Sequence, residues 1–370
     1  MAYPVWAEVD LGALAHNLRE VRRLVGQTSI MAVVKANAYG HGIVPVARAA
    51  IAGEGDWLGV ARGAEALELR REGVTAPLLV LGYIHPDECP ALLAAGVRVA
   101  VHDLDLARVL AGLAQREKKT LRAHIKVDTG MGRLGLSCDA AGVEAALAVG
   151  RLPGVEVEGL FTHFACAEEP DSKATFWQLE RFLDFAGRLE KAGLRVRYKH
   201  AANSAAVLRF PETYLDMVRP GIILYGLYPA AGIDRVADLK PVMSWKARVV
   251  QVKRVGAEFP VSYGWTYKTR GPAVLATIAV GYGDGYSRLL STSGEVLLKG
   301  KRVPVVGRVC MDQIIVDATG VAGVAPGDEA VLFGRQGGAF LPVEEIAAKI
   351  GTINYEVVCA VGARVPRVYL

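Results

Sequence analysis

IMAVVKANAYGHGIVPVARAAIAG, residues 30–53, sets a short apolar run against an amphipathic one across a loop that holds a lysine, a tyrosine and two glycines. The first run is too short for a helix, whereas VPVARAAIAG carries the i, i+3, i+4 spacing of a surface helix closed by glycine. A strand that leads through a loop into a helix is the unit from which parallel sheets are built. The apolar part recurs at residues 57–61, 78–82, 97–101, 123–128, 157–163, 197–201 and 215–219, with helical segments such as EALELRREG and FWQLERFLDFAGRLEKAG between. Eight strand and helix units predict a (β/α)8 barrel of the TIM type over residues 11–234. A doubly wound open sheet shares this periodicity and stands as the alternative.

Beyond about residue 235 the texture changes. WKARVVQVKRV, AVLATIAVGYG, GEVLLKGKRVPVVGRV, DQIIVDATG, DEAVLFG and VVCAVGARVPRVYL read as strands split by Gly and Pro, and only LPVEEIAAKIG reads as a helix. A mostly β C-terminal domain over residues 235–370 follows, with residues 1–10 expected to add a strand to it.

Composition narrows the function. Of 370 residues, 52% are hydrophobic and 22% charged, as in a folded rather than a disordered chain. The net charge of +5 comes from 43 basic and 38 acidic residues without blocks of like sign, and short clusters such as KGKR lack interleaved aromatics, so nucleic acid is not the expected partner. Five scattered cysteines without a C-x-x-C pair suit reduced thiols and suggest neither a disulfide framework nor a metal site. MAYPVWAEVD lacks a basic segment followed by an apolar run, and no stretch reaches about 18 apolar residues, so a cytoplasmic protein without a membrane span is expected.

In barrel enzymes the chemistry sits at the C-terminal ends of the strands. Lys35 falls at the end of the first run, where a desolvated amine can form a Schiff base; a strand-end lysine reaching water is the plainer reading. VRPGIILYG places Arg219 and Gly221 after the eighth run, and HAANSAA places Ser204 after the seventh, where barrels often bind phosphate. His163 ends the sixth. KVDTGMGRLG offers Lys126 and Arg133 on a glycine-rich loop, where an arginine fork suits a carboxylate. In the β region, VSYGWTY around Tyr263, GYGDGY at 281–286 and CMDQ at 310–313 hold polar and aromatic groups that a plain hairpin does not need.

Taken in order, AVVKANAYGHG, KVDTGMGRLG, THFA, HAANSAA, VRPGIILYG, VSYG, GYGDGY, VCMDQ and INYEVV resemble the bacterial, pyridoxal phosphate dependent alanine racemases over nearly the whole chain. The resemblance implies that Lys35 carries the cofactor covalently and that Lys35 and Tyr263 are the two catalytic bases, one on each face of the substrate. It implies a homodimer, with Tyr263 supplied by the partner subunit. It assigns the cofactor phosphate to Tyr39, Ser204, Gly221, Ile222 and Tyr355, with Asn203 beside them. Arg219 matches the arginine opposite the pyridine nitrogen, and His163 the histidine linking it to the tyrosine phenol. Arg133 and the Met311 backbone match the groups that meet the substrate carboxylate, and Lys126 a lysine that the family often carbamylates. Tyr282, Arg288, Asp171 and Asp312 fall where the family lines its substrate entrance, and Gly283 stands where relatives commonly have alanine. The implied role is supply of D-alanine for peptidoglycan.

Three other readings remain open at this point. A serine or broad-spectrum amino-acid racemase would share Lys35 and Tyr263. A decarboxylase on a barrel-plus-β architecture would leave Tyr263 without a purpose, and a non-catalytic cofactor carrier would lack the β domain.

Overall fold

The computed structural model describes residues 3–370, which form two compact units. One covers Ala13–Ala38 and Ile43–Lys240; the other covers Pro241–Leu370, the chain up to Gly12, and Tyr39–Gly42.

Strand β1 (Val5–Val9) belongs to the second unit. The first unit is a closed barrel of β2 (Ser29–Val33), β3 (Trp57–Val60), β4 (Leu78–Val80), β5 (Arg98–Val101), β6 (Leu121–Lys126), β7 (Val155–Phe161), β8 (Tyr198–His200) and β9 (Met217–Val218). All neighbours are parallel, and β9 closes onto β2 through Ser29↔Met217 and Ile30↔Val218. The closed sheet, not the open one, is therefore the fold. Alternation along each strand separates two cores. Ala123, Ile125 and Leu160 face outward and pack with Phe182, Phe185 and Leu189 of the helix Lys173–Lys191. Met31, Trp57, Leu79 and Met217 form a second cluster with Tyr198.

One register shift matters later. Ala123 pairs with Val157 but His124 pairs with Gly159, so Glu158 has no partner of its own on β6. Such a bulge re-aims a side chain beside a site.

In the second unit, β10 (Met243–Val255) is the central strand, pairing with β1, β13 (Ala273–Ile278) and β17 (Glu329–Gln336). Between them lie the ribbon β11 (Pro260–Val261) and β12 (Tyr267–Lys268), the hairpin β14 (Glu295–Leu298) and β15 (Lys301–Pro304), and β16 (Ile314–Asp317). The strands β18 (Ala339–Leu341) and β19 (Arg367–Tyr369) complete it, β19 lying parallel to β1. KGKR is the exposed turn of the β14–β15 hairpin, in which Lys299 and Gly300 both adopt positive φ.

VVCAVGARVPRVYL departs from its expected strand character. Asn354–Cys359 is a helix, and only Arg367–Tyr369 is extended. Asn354, Val357 and Val358 are buried at i, i+3, i+4 spacing, so burial on a helical face overrides the β preference of the paired valines.

Phe182 is fully buried among the outer barrel residues. Phe182→Ala should lower stability by about 3–5 kcal/mol, read as a fall in the denaturant midpoint of unfolding.

Candidate active site

Strand β2 stops at Val33, two residues before Lys35, although Val34 N still donates to Gly59 O at 2.8 Å. The reason is the backbone that follows. Ala36, Asn37 and Ala38 have φ of 53°, 54° and 53° with ψ of 52°, 45° and 52°, and Tyr39 has φ 53°. This is a left-handed turn of non-glycine residues, at a cost of about 1–2 kcal/mol for each. It persists because its surroundings over-determine it. Ala36 N donates to Glu65 Oε1 at 2.6 Å, Ile43 N to Asn37 Oδ1 at 2.9 Å, and Ala38 N to Val34 O at 2.9 Å. The half-buried Lys35 stands at the entry to this turn, at the barrel's C-terminal end.

Arg219 follows β9 and is buried, with 5% of its surface exposed. Its Nη1 donates to His200 Nδ1 at 2.9 Å, and its Nη2 donates to Thr162 O at 2.7 Å and Ala201 O at 3.0 Å. His163 Nδ1 lies 3.5 Å from the same Nη2. Burial lowers the Arg219 guanidinium to about 9, which leaves it a cation near neutral pH.

Lys126 ends β6 with its Nζ buried, without a hydrogen-bond partner, 4.8 Å from the Phe161 ring centroid. Burial, then Arg219 and Arg133, push its ammonium well below the ordinary lysine value. Arg133 is exposed on the loop beyond, which is tied by Asp128 Oδ1 accepting from the backbone N of Gly130, Met131 and Gly132 at 2.9, 2.9 and 3.1 Å. His163 is held well below the ordinary imidazole value by burial and by four basic side chains, Arg219, Lys126, Arg133 and Lys35. Basic groups gathered around one half-buried imidazole at the barrel mouth make a site for anions.

After β8 and β9 the two loops are drawn together, for Gly221 N donates to Ser204 Oγ at 2.8 Å. Asn203 caps the helix Ser204–Arg209, its Oδ1 accepting from Ala206 N at 3.0 Å, and Ile222 opens the short turn Ile222–Tyr225. In the β unit the rings of Tyr39 and Tyr355 lie 6.1 Å apart, and burial raises the Tyr39 phenol.

Tyr263 stands at the tip of the β11–β12 ribbon, 67% exposed, beside Trp265 at 69%. Ser262 Oγ donates to Arg308 O at 2.6 Å, while Tyr282 N and Gly283 N donate to Cys310 O at 3.0 Å and Met311 O at 2.8 Å. Arg364 joins the same loops by donating to Asp284 and Asp312, each at 2.7 Å. VSYG, GYGDGY and CMDQ thus form one patch, bearing Tyr263, Tyr282, Met311 and Asp312 on its exposed surface. Arg288 and Asp171 are exposed in their own segments.

Two groups of contributors escaped the reading of motifs. Gln178, buried on a helix, braces the loops after β6 and β7: its Nε2 donates to Thr129 Oγ1 at 3.1 Å and His163 O at 3.2 Å, and its Oε1 accepts from Ala165 N at 2.8 Å. His200 and His124 form a buried pair behind Arg219, with Nε2 and Nδ1 2.8 Å apart. The available signal was parity, since His124 shares with Lys126 the strand face opposite Ala123 and Ile125.

A family model described as "Alanine racemase, N-terminal domain" matches residues 9–229, and "Alanine racemase, C-terminal domain" matches residues 242–369. The chain is 52% identical to an alanine racemase of Desulforamulus reducens and 45% identical to one of Methanococcus maripaludis, covering 100% of both chains in each case. It superposes on the alanine racemase structure from Clostridium difficile 630 with a TM-score of 0.96 at 38% identity, covering 100% of this chain and 96% of that one. An alanine racemase structure from Bacillus anthracis with bound L-Ala-P gives a TM-score of 0.95 at 37% identity, with the same coverage.

His163 and His200, held well below the ordinary imidazole value, stay neutral in the fold where the unfolded chain takes up protons below about pH 6.5. Their contribution to stability is therefore full above that pH, begins to be lost as the pH falls below it, and goes on being lost until the folded histidines themselves take up protons. Equilibrium unfolding of the ligand-free protein should show its midpoint dropping between about pH 7 and about pH 5, with a shallower drop in His163→Gln.

Proposed function

This chain belongs to the alanine racemase family, and we propose that it inverts alanine at the barrel mouth, with pyridoxal phosphate held by Lys35 and a second base supplied by Tyr263. It is an isomerase that interconverts L- and D-alanine, and its family's cofactor is pyridoxal 5'-phosphate. The observation that carries the site assignment is the set of four basic side chains around His163, with the buried Arg219 at its centre, which suits an anionic cofactor and an amino-acid carboxylate. The residues present fit that cofactor. An amine stands at the mouth, a guanidinium is committed to donating, and the Ser204–Gly221 bond joins two loops able to take a phosphate.

Pyridoxal phosphate supplies an aldehyde that takes the substrate amine and a ring that draws electron density from the Cα–H bond. The protein does the rest. Lys35 Nζ moves the proton on one face of the substrate Cα and Tyr263 Oη on the other, so that removal at one face and return at the other inverts the centre. Arg219 would face the ring nitrogen and could only donate a hydrogen bond to it, because a guanidinium keeps its proton. The pull on the substrate is then limited and the proton is returned promptly, which disfavours side reactions. Arg133 and the Met311 backbone take the carboxylate. Tyr39, Ser204, Gly221, Ile222 and Tyr355 take the phosphate, with Asn203 setting the helix that carries Ser204. Tyr282 and Asp312 line the entrance.

Lys126 suits carbamylation. Its unpartnered Nζ is pushed well below the ordinary lysine value and so gives up its proton more readily; the free amine can add carbon dioxide, and the product is an anion able to hold Arg133. An intact mass taken in bicarbonate should show the added carboxylate; plain lysine would count against it.

The active form in this reading is a cytoplasmic homodimer with shared sites, and its product is D-alanine for peptidoglycan. Its support is the exposure of Tyr263, Trp265 and Met311 on one patch, since a base left this open needs a second chain to enclose it. A serine racemase would share every group above, but full-length identity to alanine racemases favours alanine.

Chiral chromatography after incubation with cofactor should show fast D-alanine and slow D-serine from the L-forms, and neither from Lys35→Ala; equal or faster D-serine would reassign the substrate. Lys35→Ala and Tyr263→Phe should each be nearly inert, yet regain about a quarter of wild-type activity when dissociated and reassociated together. No recovery would argue against shared sites.

A further inference from the structure

Arg219 is the first member of a buried chain that runs back through the barrel interior. His200 Nδ1 accepts from Arg219 Nη1 at 2.9 Å, and His200 Nε2 lies 2.8 Å from His124 Nδ1. His124 Nε2 makes no hydrogen bond but faces the Glu158 carboxylate across a charge contact of 3.6 Å to Oε2, and Glu158 is gripped by Arg98, with Nε and Nη2 at 2.9 and 3.4 Å from its two oxygens. Both histidines are fully buried.

The proton order along this chain depends on both of its ends. A guanidinium has no acceptor, so Arg219 can donate to His200 only while His200 Nδ1 is bare. Neutral His200 then carries its proton on Nε2 and donates to His124 Nδ1, which leaves the His124 proton on Nε2, facing Glu158. Only an acceptor can end such a chain, and a carboxylate is acceptor-only while ionised. Burial raises Glu158, but its contacts with His124 and Arg98 outweigh this and hold it at about 2. Burial also keeps both imidazoles neutral, assisted at His200 by Arg219, His124 and Lys126, and at His124 by Arg98 and Arg219 against Glu158.

The chain is built rather than incidental. The register shift in β7 sets Glu158 out of the ladder, and a Cβ on Gly159 would stand 2.3 Å from His124 Nδ1, so only glycine there leaves room for the ring. Phe161 stacks on His200 at 5.0 Å, and Trp57 meets His124 edge-on at 5.7 Å, which fixes both ring planes.

We propose that Glu158 is a positioning residue for the racemisation: acting from the far end of the barrel interior through His124 and His200, it sets the one tautomer order in which Arg219 is held as a donor at the cofactor site. This rests on the placement of Arg219 opposite the cofactor ring. With an amide at position 158 the far end can donate as well as accept. The order can then reverse, putting an N–H of His200 against the guanidinium and loosening it.

The test begins with 15N NMR of the histidine rings in the cofactor-free wild-type protein. His124 and His200 should both be neutral and protonated on Nε2 at pH values around neutrality; either ring protonated on Nδ1, or charged, overturns the proposal without any variant. In Glu158→Gln both rings should populate mixed tautomers, and kcat for alanine should fall roughly 10- to 100-fold with KM nearly unchanged. A variant that keeps the wild-type nitrogen pattern, or loses it without loss of kcat, sinks the relay. Failure of the racemase assignment would show differently, as a wild-type protein that never inverts alanine whatever its nitrogen spectrum.

Discussion

Arginine can give hydrogen bonds but cannot take them, and the barrel interior is arranged around that restriction. A buried guanidinium needs partners for its donors, and Arg219 commits three of its five N–H groups to His200, Thr162 and Ala201, which leaves others for the cofactor site. The ends of β7 and β8 are thereby fixed relative to β9. The surrounding basic groups are left short of counter-charge, and that deficit makes the mouth receptive to an anionic cofactor and substrate. Stability and affinity pull against each other here: the same uncompensated charge that draws ligands in weighs on the empty fold.

The β unit answers a different need. Its ribbon tip is tied to a neighbouring loop by the Ser262 hydroxyl, and the two loops are tied to each other by backbone bonds and by Arg364, yet the aromatic and methionine side chains they carry stay in solvent. Rigid backbone under exposed side chains is the arrangement of a surface prepared for another surface. Tyr263 is presented, not sequestered.

Much of this was legible beforehand, for definable reasons. The barrel could be read because each unit repeats the same change of period, from short apolar run to i, i+3, i+4 stripe. Lys35, Arg219 and Ser204 could be proposed because the run ends pointed to the strand ends. What escaped reading depends on parity and on contacts between distant segments. His124 sits mid-strand, where a histidine looks like any other core polar group until its neighbour across the barrel is known. Glu158 was further hidden, because a bulge changes which way a residue points and leaves no mark in hydrophobic pattern. The helix Asn354–Cys359 was missed because paired valines favour strands locally while burial at 354, 357 and 358 decides otherwise.

The left-handed turn after Lys35 runs into Tyr39–Gly42, and those residues are completed from far away. Gly40 O accepts from Arg367 Nε at 2.9 Å across 327 positions of sequence, and Cβ atoms on Gly40 and Gly42 would stand 2.3 Å from Val358 O and 1.9 Å from the Tyr369 hydroxyl. During synthesis the first barrel strand and its lysine leave the ribosome early, but the segment that pins the following loop is among the last to appear. The loop that follows the lysine is therefore held by residues 358–369, so its final conformation requires the last residues of the chain.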